Sequence, residues 1–515
     1  MEQRYPRNAK SDDSKNPAIR IYGNRVYYKQ TIYEYLIEFL LIFVSAKDEN
    51  GNGKLRFHMP DELEAPRYFV EPRNGFRRFV FYEQARKEYF IPADEEAYQA
   101  IREILKRRID AEREQDKEKF LSAARDLFYG YAAVSKKRSW CAQELLPLCP
   151  EMILCEQMPK EREREKGVGY WKKKNQIHDG YDEENTFADA SFAVTNHNYL
   201  AGGGEIYYLH ILQALEEKPE SKAKLELLIR HLLTDKKEDF HKLARWIQDE
   251  WEKERNIDPE FLKYERLIGY IPAGAYVQSG QCAVEELINY LSNRLHPVKR
   301  IEILVKGVMF QIMRMQTEQT ARYLNTERFP MIVDMRSEQA GTVVRQAAAK
   351  SFDDISDAFT SAIQKYLVSR REYDRLNPEE LKNEYKLFHD AKKESFDVFK
   401  AKGKEMRCVI PSRGPYERFS LSEDIIRFLT LSIIPPGERM DLDMFLDILY
   451  QRYCLVIGPK EYARCHRKSD LDPELAAAFQ YNKDAFQNFL KAVGFLRDLS
   501  DATSIVANPY ERVDI

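Results

Sequence analysis

The chain has 515 residues, of which 43% are hydrophobic and 32% are charged, and its formal net charge is −3. This composition is typical of a globular protein with several domains, and it excludes a general polyanion binder. Seven cysteines occur without a CxxC pair, which favours reduced thiols over a disulfide framework. The first twenty residues are polar and charged and show no signal peptide. The sequence therefore predicts a cytoplasmic protein.

The region 1–94 begins the predicted architecture with a very apolar helix. Thr31 and Glu34 have the spacing of a capping box in front of Ile32. The apolar run that follows is too short and too acidic to span a membrane. It is interpreted as a buried core helix, with a partner-binding helix as the alternative.

The same region carries a pattern typical of a β-hairpin. Arg67–Val70 and Arg78–Tyr82 are strand-like runs, and Asn74-Gly75 between them is a turn signal. We therefore expect an N-terminal β-hairpin region. Arginines lie among its aromatic residues, but neighbouring acids favour a solvated sheet face over a nucleic-acid surface.

Region 95–255 is predicted to be helical, with a long exposed charged loop at 159–185. Lys172, Lys173 and Lys174 form the basic end of this loop and are candidate phosphate contacts. Three cysteines precede it, at positions 141, 149 and 155. Zinc sites prefer tightly spaced ligand pairs, so no metal site is predicted.

A run of three glycines, Gly202–Gly204, precedes an apolar helix. Backbone N–H groups at such a helix start can bind an anion, but the Walker A ending is absent. His197 and Glu205 flank the glycines and are the best catalytic candidates of the chain. Two interpretations stay open here, a structural loop and the site of a metal-assisted hydrolytic enzyme.

Region 256–405 is predicted to be a helical core domain. Val298–Leu324 and Val343–Val368 show the apolar periodicity of amphipathic helices. The methionines of the first helix are interpreted as gap-fillers of the core, and no cofactor is predicted.

The segment from Leu421 to Tyr510 has an order of elements that suggests a known module. Apolar periodicity and turn signals predict three helices and then two strands. The elements are a helix after Ser420 that ends at Pro435-Pro436-Gly437, a helix capped by Asp441 or Asp443, a helix from near Asp484 to Gly494, and the strands Phe495–Leu499 and Thr503–Ala507.

This order of helix, helix, helix and hairpin resembles the winged-helix family, over residues 421–510 of a predicted domain 415–515. In winged-helix proteins that bind DNA, the third helix enters the major groove and the hairpin touches the backbone. The resemblance implies that Asp484–Val493 and Phe495–Ala507 would take these roles. The connection from Leu455 to Asn482 is longer than a compact winged helix needs.

Charge tests whether this module binds DNA. Residues 415–515 carry 12 lysines and arginines against 16 acids, a net of −4. A DNA-binding domain usually shows a basic footprint, so docking on protein is favoured and duplex contact is the alternative. The cations available for duplex contact are Arg464, Arg467, Lys468, Lys483 and Lys491.

The sequence predicts a mainly α (α+β), multi-domain helical scaffold with an N-terminal β-hairpin region and a C-terminal winged-helix-like domain. Because no motor or nuclease signature is present, the leading hypothesis is a non-enzymatic subunit or adaptor of a prokaryotic DNA-handling complex. A role in defence would suit such a subunit. Its partners would be other protein subunits, such as a motor or nuclease, with DNA bound weakly or only within the complex. A sequence-specific DNA-binding regulator is a further alternative.

Overall fold

The computed structural model describes residues 4–9, 16–24, 26–58, 65–71, 73–87, 92–135, 138, 140–154, 200, 202–234, 238–254, 264–374, 383–469, 471–500 and 503–514. Helices dominate these residues, so the prediction of a mainly helical fold is confirmed. The helices, numbered in chain order, are α1 Pro17–Tyr22, α2 Ile32–Val44, α3 Asn74–Ala85, α4 Pro92–Arg108, α5 Glu114–Tyr129, α6 Gly203–Glu217, α7 Pro219–Thr234, α8 Glu238–Glu254, α9 Val277–Leu291, α10 Pro297–Leu324, α11 Gly341–Asp374, α12 Glu384–Lys393, α13 Phe396–Glu405, α14 Glu423–Ile433, α15 Leu442–Tyr453, α16 Pro459–Cys465 and α17 Pro473–Ala492.

The strands are short and form small sheets. They are β1 Arg4–Tyr5, β2 Arg67–Val70, β3 Ala132–Val134, β4 Glu144–Leu145, β5 Tyr264–Leu267, β6 Ile271–Pro272, β7 Met331–Ile332, β8 Val409–Ile410, β9 Arg418–Phe419, β10 Arg439–Asp441, β11 Leu455–Val456, β12 Leu496–Ser500 and β13 Thr503–Ala507. The largest sheet has the strand order β10-β13-β12, and the two-stranded pairs are β1-β6, β2-β5, β3-β4, β7-β11 and β8-β9.

Backbone contacts divide the chain into two compact units. The N-terminal unit comprises Lys29–Gly204 and Arg230–Ile268. The C-terminal unit comprises Met1–Tyr28, Glu205–Ile229 and Gly269–Ile515. The four sequence-based regions, 1–94, 95–255, 256–405 and 415–515, stay predictions.

In the N-terminal unit, α2 forms as its sequence predicts. The Thr31 side chain accepts from the backbone N–H of Glu34, and the Glu34 carboxylate accepts from the N–H of Thr31, which completes the capping box. Its residues from Glu34 to Phe43 are all buried, in agreement with a core helix.

The predicted β-hairpin is wrong. Its first strand, β2, does form, but it pairs antiparallel with β5, with Arg67 opposite Leu267. The second predicted strand is part of the helix α3. Every residue from Asn74 to Tyr82 is buried. The helix therefore has no exposed face on which polar residues recur every three to four positions, and the sequence lacks the pattern by which an amphipathic helix is recognised. Gly75 lies at the start of α3, where a Cβ would meet the ring of Trp251 on α8.

The two arginines of α3 explain why this helix can be buried. Arg77 donates to the Glu144 carboxylate at 2.6 Å, and Arg78 donates to Asp94 at 3.0 Å. The Arg78 guanidinium also stacks over the ring of Trp140, whose indole N–H donates to the same Asp94. Because both charges have buried partners, the cost of removing them from water is offset.

The C-terminal unit is built around the long helix α10, which is buried over most of its length. Helices α14 and α11 pack against it, and α14 also packs against α9. Gly307 permits the close approach of α14, since a Cβ there would overlap the ring of Phe428. The C-terminal segment therefore shares its core with the rest of this unit.

Candidate interaction surface

The C-terminal segment, residues 421–510, contains α14 to α17 and the three-stranded sheet. Strand β10 pairs antiparallel with β13, with Arg439 opposite Ala507, and β13 pairs with β12. The Asp441 side chain caps α15 by accepting from the backbone N–H of Asp443 at 2.7 Å. The predicted cap and the two predicted strands are confirmed, the first strand with a one-residue shift.

The third predicted helix begins earlier than the sequence suggested. Helix α17 starts at Pro473, so the prediction that it begins near Asp484 is wrong. The Asp472 side chain accepts from the N–H of Glu474 at 2.9 Å, and proline in the first turn lacks only an N–H that has no helical partner. These two residues are the start signal that the sequence reading missed.

One buried amide fixes α17 to the neighbouring strands. Asn482 is fully buried and donates to the carbonyl oxygens of Val333 and Ile457, each at 2.9 Å. Its side-chain oxygen accepts from the backbone N–H of Met335 at 2.9 Å. Three hydrogen bonds from one side chain therefore set the position of the helix, and with it the surface that the helix presents.

Three of the five cations predicted to contact DNA form ion pairs with acids of the same unit. The pairs are Arg464 with Asp447, Arg467 with Glu327, and Lys483 with Asp443. The other two cations, Lys468 and Lys491, are exposed. The role of all five in DNA contact stays a prediction.

Asp443 is an acid of this surface that pairs with two lysines. Hydrogen bonds from Lys460 and then Lys483 lower the pKa of the Asp443 carboxyl, against the opposing effect of partial burial. The same contact raises the pKa of Lys460. Asp443 is therefore ionised at neutral pH and balances part of the charge of the two lysines.

A buried polar network, which the sequence analysis missed, connects α15 to α9 and α10. Glu286 on α9 is fully buried and accepts from Gln311 at 2.6 Å and from Arg314 at 3.3 Å. Arg452 of α15 reaches the same carboxylate at 3.4 Å. Gln311 also donates to the Tyr453 hydroxyl at 3.2 Å. Because these partners lie far apart in sequence, no local pattern could have indicated the network.

The network is held by electrostatics inside the protein. Burial alone would lower the pKa of Arg314, but the Glu286 carboxylate raises it above its usual value. Burial raises the pKa of the Tyr453 hydroxyl, so this group stays neutral. Glu286 therefore connects Arg452 of the C-terminal segment to Arg314 of α10 through buried ion pairs.

The glycine loop already holds an anion. Within the N-terminal unit, the Glu38 carboxylate accepts from the backbone N–H groups of Gly202 and Gly204, both at 2.7 Å. Glu38 is 1% exposed and also accepts from Gln30 at 3.2 Å. A Cβ on Gly203 would overlap the Tyr35 ring, so this position also requires glycine. The backbone donors predicted to be available to a ligand are occupied by a side chain of α2.

Glu205, one of the two predicted catalytic residues, is buried in the C-terminal unit. Its carboxylate accepts from the side-chain amide of Asn24 and from the backbone N–H of Gly269. His197 lies outside the described residues, as do Lys172, Lys173, Lys174 and the whole loop 159–185. The enzyme hypothesis and the phosphate contacts of that loop stay predictions.

Two kinds of feature are absent from the described residues, a cluster of metal ligands and a membrane-spanning helix. In that part of the chain, no group of three or more histidine, cysteine, aspartate or glutamate side chains could hold a metal ion. Among the described helices, none has both the length and the apolar character needed to cross a membrane.

These features define a mainly helical protein whose C-terminal segment carries a small sheet, an anchored helix and a surface of paired charges. Residues 423–509 match the family described as methylation-associated defense system protein MAD7. The match relates this chain to proteins of a methylation-associated defence system and covers a minor part of its length. No curated protein and no solved structure matches the chain.

Proposed function

We propose that the chain is a non-enzymatic subunit or adaptor of a prokaryotic, multi-protein DNA-handling complex within a methylation-associated defence system. Its C-terminal segment would act as a winged-helix-like module that docks on another protein of that complex. The observation that carries the proposal is the pairing of the segment's cations with acids of the same unit.

The element order of the segment supports the winged-helix interpretation. A first helix, α14, leads to the edge strand β10. The helices α15, α16 and α17 follow, with the short strand β11 between α15 and α16, and β12 and β13 form a closing hairpin. Strand β10 adds to that hairpin as the third strand of the sheet. In a winged-helix module this hairpin would be the wing and α17 the third helix.

The charges favour protein over DNA as the ligand of this module. Phosphate binding needs cations that can replace counterions, and here Arg464, Arg467 and Lys483 already face carboxylates. Strand β12 of the wing carries an acid, Asp498, where a DNA-binding wing would carry cations. A protein partner accepts such mixed charges and uses them for specificity.

The alternatives have weaker support. The enzyme hypothesis relies on Glu205 as a reacting group, and its carboxylate is buried against Asn24 and Gly269. A sequence-specific regulator would need a basic footprint that the net charge of 415–515 does not provide.

The proposal is tested by removing the exposed cations of the module. The variant carries Arg464→Ala, Arg467→Ala, Lys468→Ala and Lys491→Ala, and it retains Lys483 because that side chain is partly buried beside Asp443. The control carries alanine at four exposed lysines elsewhere in the C-terminal unit, Lys224, Lys350, Lys386 and Lys393. Each protein is co-expressed with the proteins encoded beside its gene, and the assembly is isolated by size-exclusion chromatography.

We expect the variant to enter the assembly as the wild type does. Binding of the assembly to a duplex, measured by fluorescence anisotropy, should weaken by less than about tenfold, or about 1.4 kcal/mol, and no more than in the control. An assembly that no longer binds duplex DNA with the variant, while the control still binds, would instead assign DNA contact to this surface. A wild-type chain that joins none of the co-expressed proteins would refute the subunit role.

A further inference from the structure

The interior of the C-terminal unit contains a histidine whose ring has no polar partner. This residue, His210 on α6, is 0% exposed. Neither of its ring nitrogens makes a hydrogen bond within the described residues. Buried polar groups are almost always hydrogen-bonded, because leaving one without a partner is costly. The position of this imidazole therefore needs a reason other than stability.

Helix α6 lies directly against α9 at His210. A Cβ on Gly280 of α9 would lie 3.1 Å from the Cβ of Ala214 and 3.4 Å from Cε1 of the His210 ring. The rings of Tyr207 and Tyr276 also enclose the imidazole, with centroid distances of 6.0 Å and 5.9 Å. Solvent therefore cannot reach the ring of His210 while the two helices stay packed.

No carboxylate contacts His210 among the described residues. Burial, and after it the positive charge of Arg314 on α10, hold the pKa of the imidazole well below its ordinary value. The Glu286 carboxylate on α9 faces Arg314 and also pairs with Arg452. A proton on His210 would therefore add a positive charge near the Arg314 guanidinium, and no further acid would balance it.

The two tyrosines beside the ring stay neutral as well. Burial raises the pKa of the hydroxyls of both Tyr207 and Tyr276. The Tyr276 hydroxyl donates to the carbonyl oxygen of Tyr22 at 2.7 Å. Neither tyrosine can therefore supply a negative charge to a protonated His210.

We propose that His210 makes the packing of α6 against α9 sensitive to acid. At neutral pH the imidazole is uncharged and the two helices stay packed. A charged imidazole without a buried partner is stable only in water, so proton binding requires α6 to move away from α9 and expose the ring. Mild acid thus favours a form of the C-terminal unit in which α6 is released.

The direction of the effect follows from the proton balance of the two forms. In the open form the histidine has its ordinary pKa of about 6.5, so it takes up a proton below that pH, whereas the packed form does not. The packed form is therefore fully favoured above about pH 6.5 and loses this advantage as the pH falls. Between about pH 7.5 and pH 5.0, the opening equilibrium should rise about thirtyfold.

Hydrogen exchange of the full-length chain, followed by mass spectrometry at both pH values, measures this opening. Exchange times are first scaled by the dependence of intrinsic amide exchange on pH. Peptides from residues 206–215 of α6 should lose about thirtyfold in protection at the lower pH. Peptides from α14 are the internal reference, because α14 also packs against α9 and contains no histidine. Their protection should change by less than about threefold.

Two variants assign the response to one residue. His210→Gln keeps a neutral polar side chain and removes the titration, so the protection of α6 should be the same at both pH values. His296→Gln is the matched control, because His296 is exposed, and α6 should lose protection in this variant as it does in the wild type. A pH response of α6 that persists in His210→Gln would overturn the inference.

The wild-type peptides decide the question if His210→Gln does not fold. Protection of α6 that is retained at the lower pH would overturn the proposal. A loss of protection in α14 as large as that in α6 would also overturn it, because the acid would then act on the whole unit and not on the packing of α6.

Discussion

The glycine loop and the charged surface of the C-terminal segment are both places where the sequence suggested an anion from outside. In both, carboxylates of the protein already occupy the donors. The difference is exposure: Glu38 at the glycine loop is 1% exposed, whereas the side chains of Asp447 and Glu327 are 36% and 80% exposed. A carboxylate bound to donors of the protein is therefore buried at the glycine loop and accessible to solvent on the C-terminal segment.

Burial determines which of these contacts contributes strongly to the stability of the protein. Backbone donors left without a partner in the interior cost about 1–3 kcal/mol each, so the Glu38 carboxylate is part of the structure. An exposed ion pair is worth about 0–1 kcal/mol, so Asp447 and Glu327 can exchange with another ligand. The surface of the C-terminal segment can be altered without unfolding the protein, and the glycine loop cannot.

The largest expected effect comes from removing the internal anion. Glu38→Ala leaves the N–H groups of Gly202 and Gly204 buried without an acceptor, and we expect it to lower the free energy of unfolding by about 3–5 kcal/mol. The described tryptophans, Trp140, Trp246 and Trp251, lie within the N-terminal unit, so tryptophan fluorescence during urea unfolding follows this unit.

Glu96→Ala, at an exposed position of α4, is the control, and we expect a change within about 0.5 kcal/mol. If Glu38→Ala were no more destabilising than this control, the glycine loop would not depend on its internal anion. It would then again be a candidate site for a ligand.

The contrast also explains what could be predicted from the sequence. Local signals were sufficient for the capping box of α2, for the long helix α10 and for the strands of the closing hairpin. They failed for α3, where complete burial removed the polar face that marks a helical period. They failed again at the start of α17, where Asp472 and Pro473 were overlooked.

The candidate sites were less predictable because their partners are distant in sequence. Glu38 lies 164 residues from Gly202, and Arg452 lies 166 residues from Glu286. The spacing of residue types along the chain carries no information about such contacts. Residue type could therefore indicate that a site binds an anion or a cation. It could not indicate that the binding partner is a side chain of the same protein.

A second prediction concerns the pH dependence of a buried carboxylate. Burial raises the pKa of Glu144 to about 7, although the Arg77 guanidinium opposes the shift. Between about pH 4.5 and 7, the folded state holds a proton that the unfolded state has lost, so stability falls as the pH rises. We expect the free energy of unfolding to decrease by about 3 kcal/mol across this window from this group.

Glu144→Gln removes this titration, so its stability should change less between pH 5 and pH 8 than that of the wild type. The measurement is urea unfolding at both pH values, followed by tryptophan fluorescence. A variant with the same pH dependence as the wild type would contradict the assignment to Glu144. The partly exposed Asp443 has a lowered pKa, so the stability it contributes is instead lost as the pH falls.

The smallest effect on stability, and the sharpest on binding, is expected from freeing the paired cations. The triple variant Asp443→Asn, Asp447→Asn and Glu327→Gln leaves four cations without these acids: Lys460, Arg464, Arg467 and Lys483. Each exposed pair is worth less than about 1 kcal/mol, so the protein should fold normally. Each of the four freed cations could add a phosphate contact, which would steepen the dependence of log K on log salt by about 0.9 per contact.

The control for this variant carries the same change of charge on α11, as Asp353→Asn, Asp354→Asn and Asp357→Asn, all at exposed positions. Duplex binding is measured by fluorescence anisotropy over a salt series. A steeper slope in the first variant alone would show that the cations of this surface can bind DNA, and that Asp443, Asp447 and Glu327 prevent this in the wild type. Equal slopes would leave protein as the partner of this surface, because its cations would then not reach phosphates even when free. The first variant could instead lose as much stability as Glu38→Ala. The exposed carboxylates would then contribute as much to the free energy of unfolding as the buried Glu38, and exposure would not distinguish the two regions.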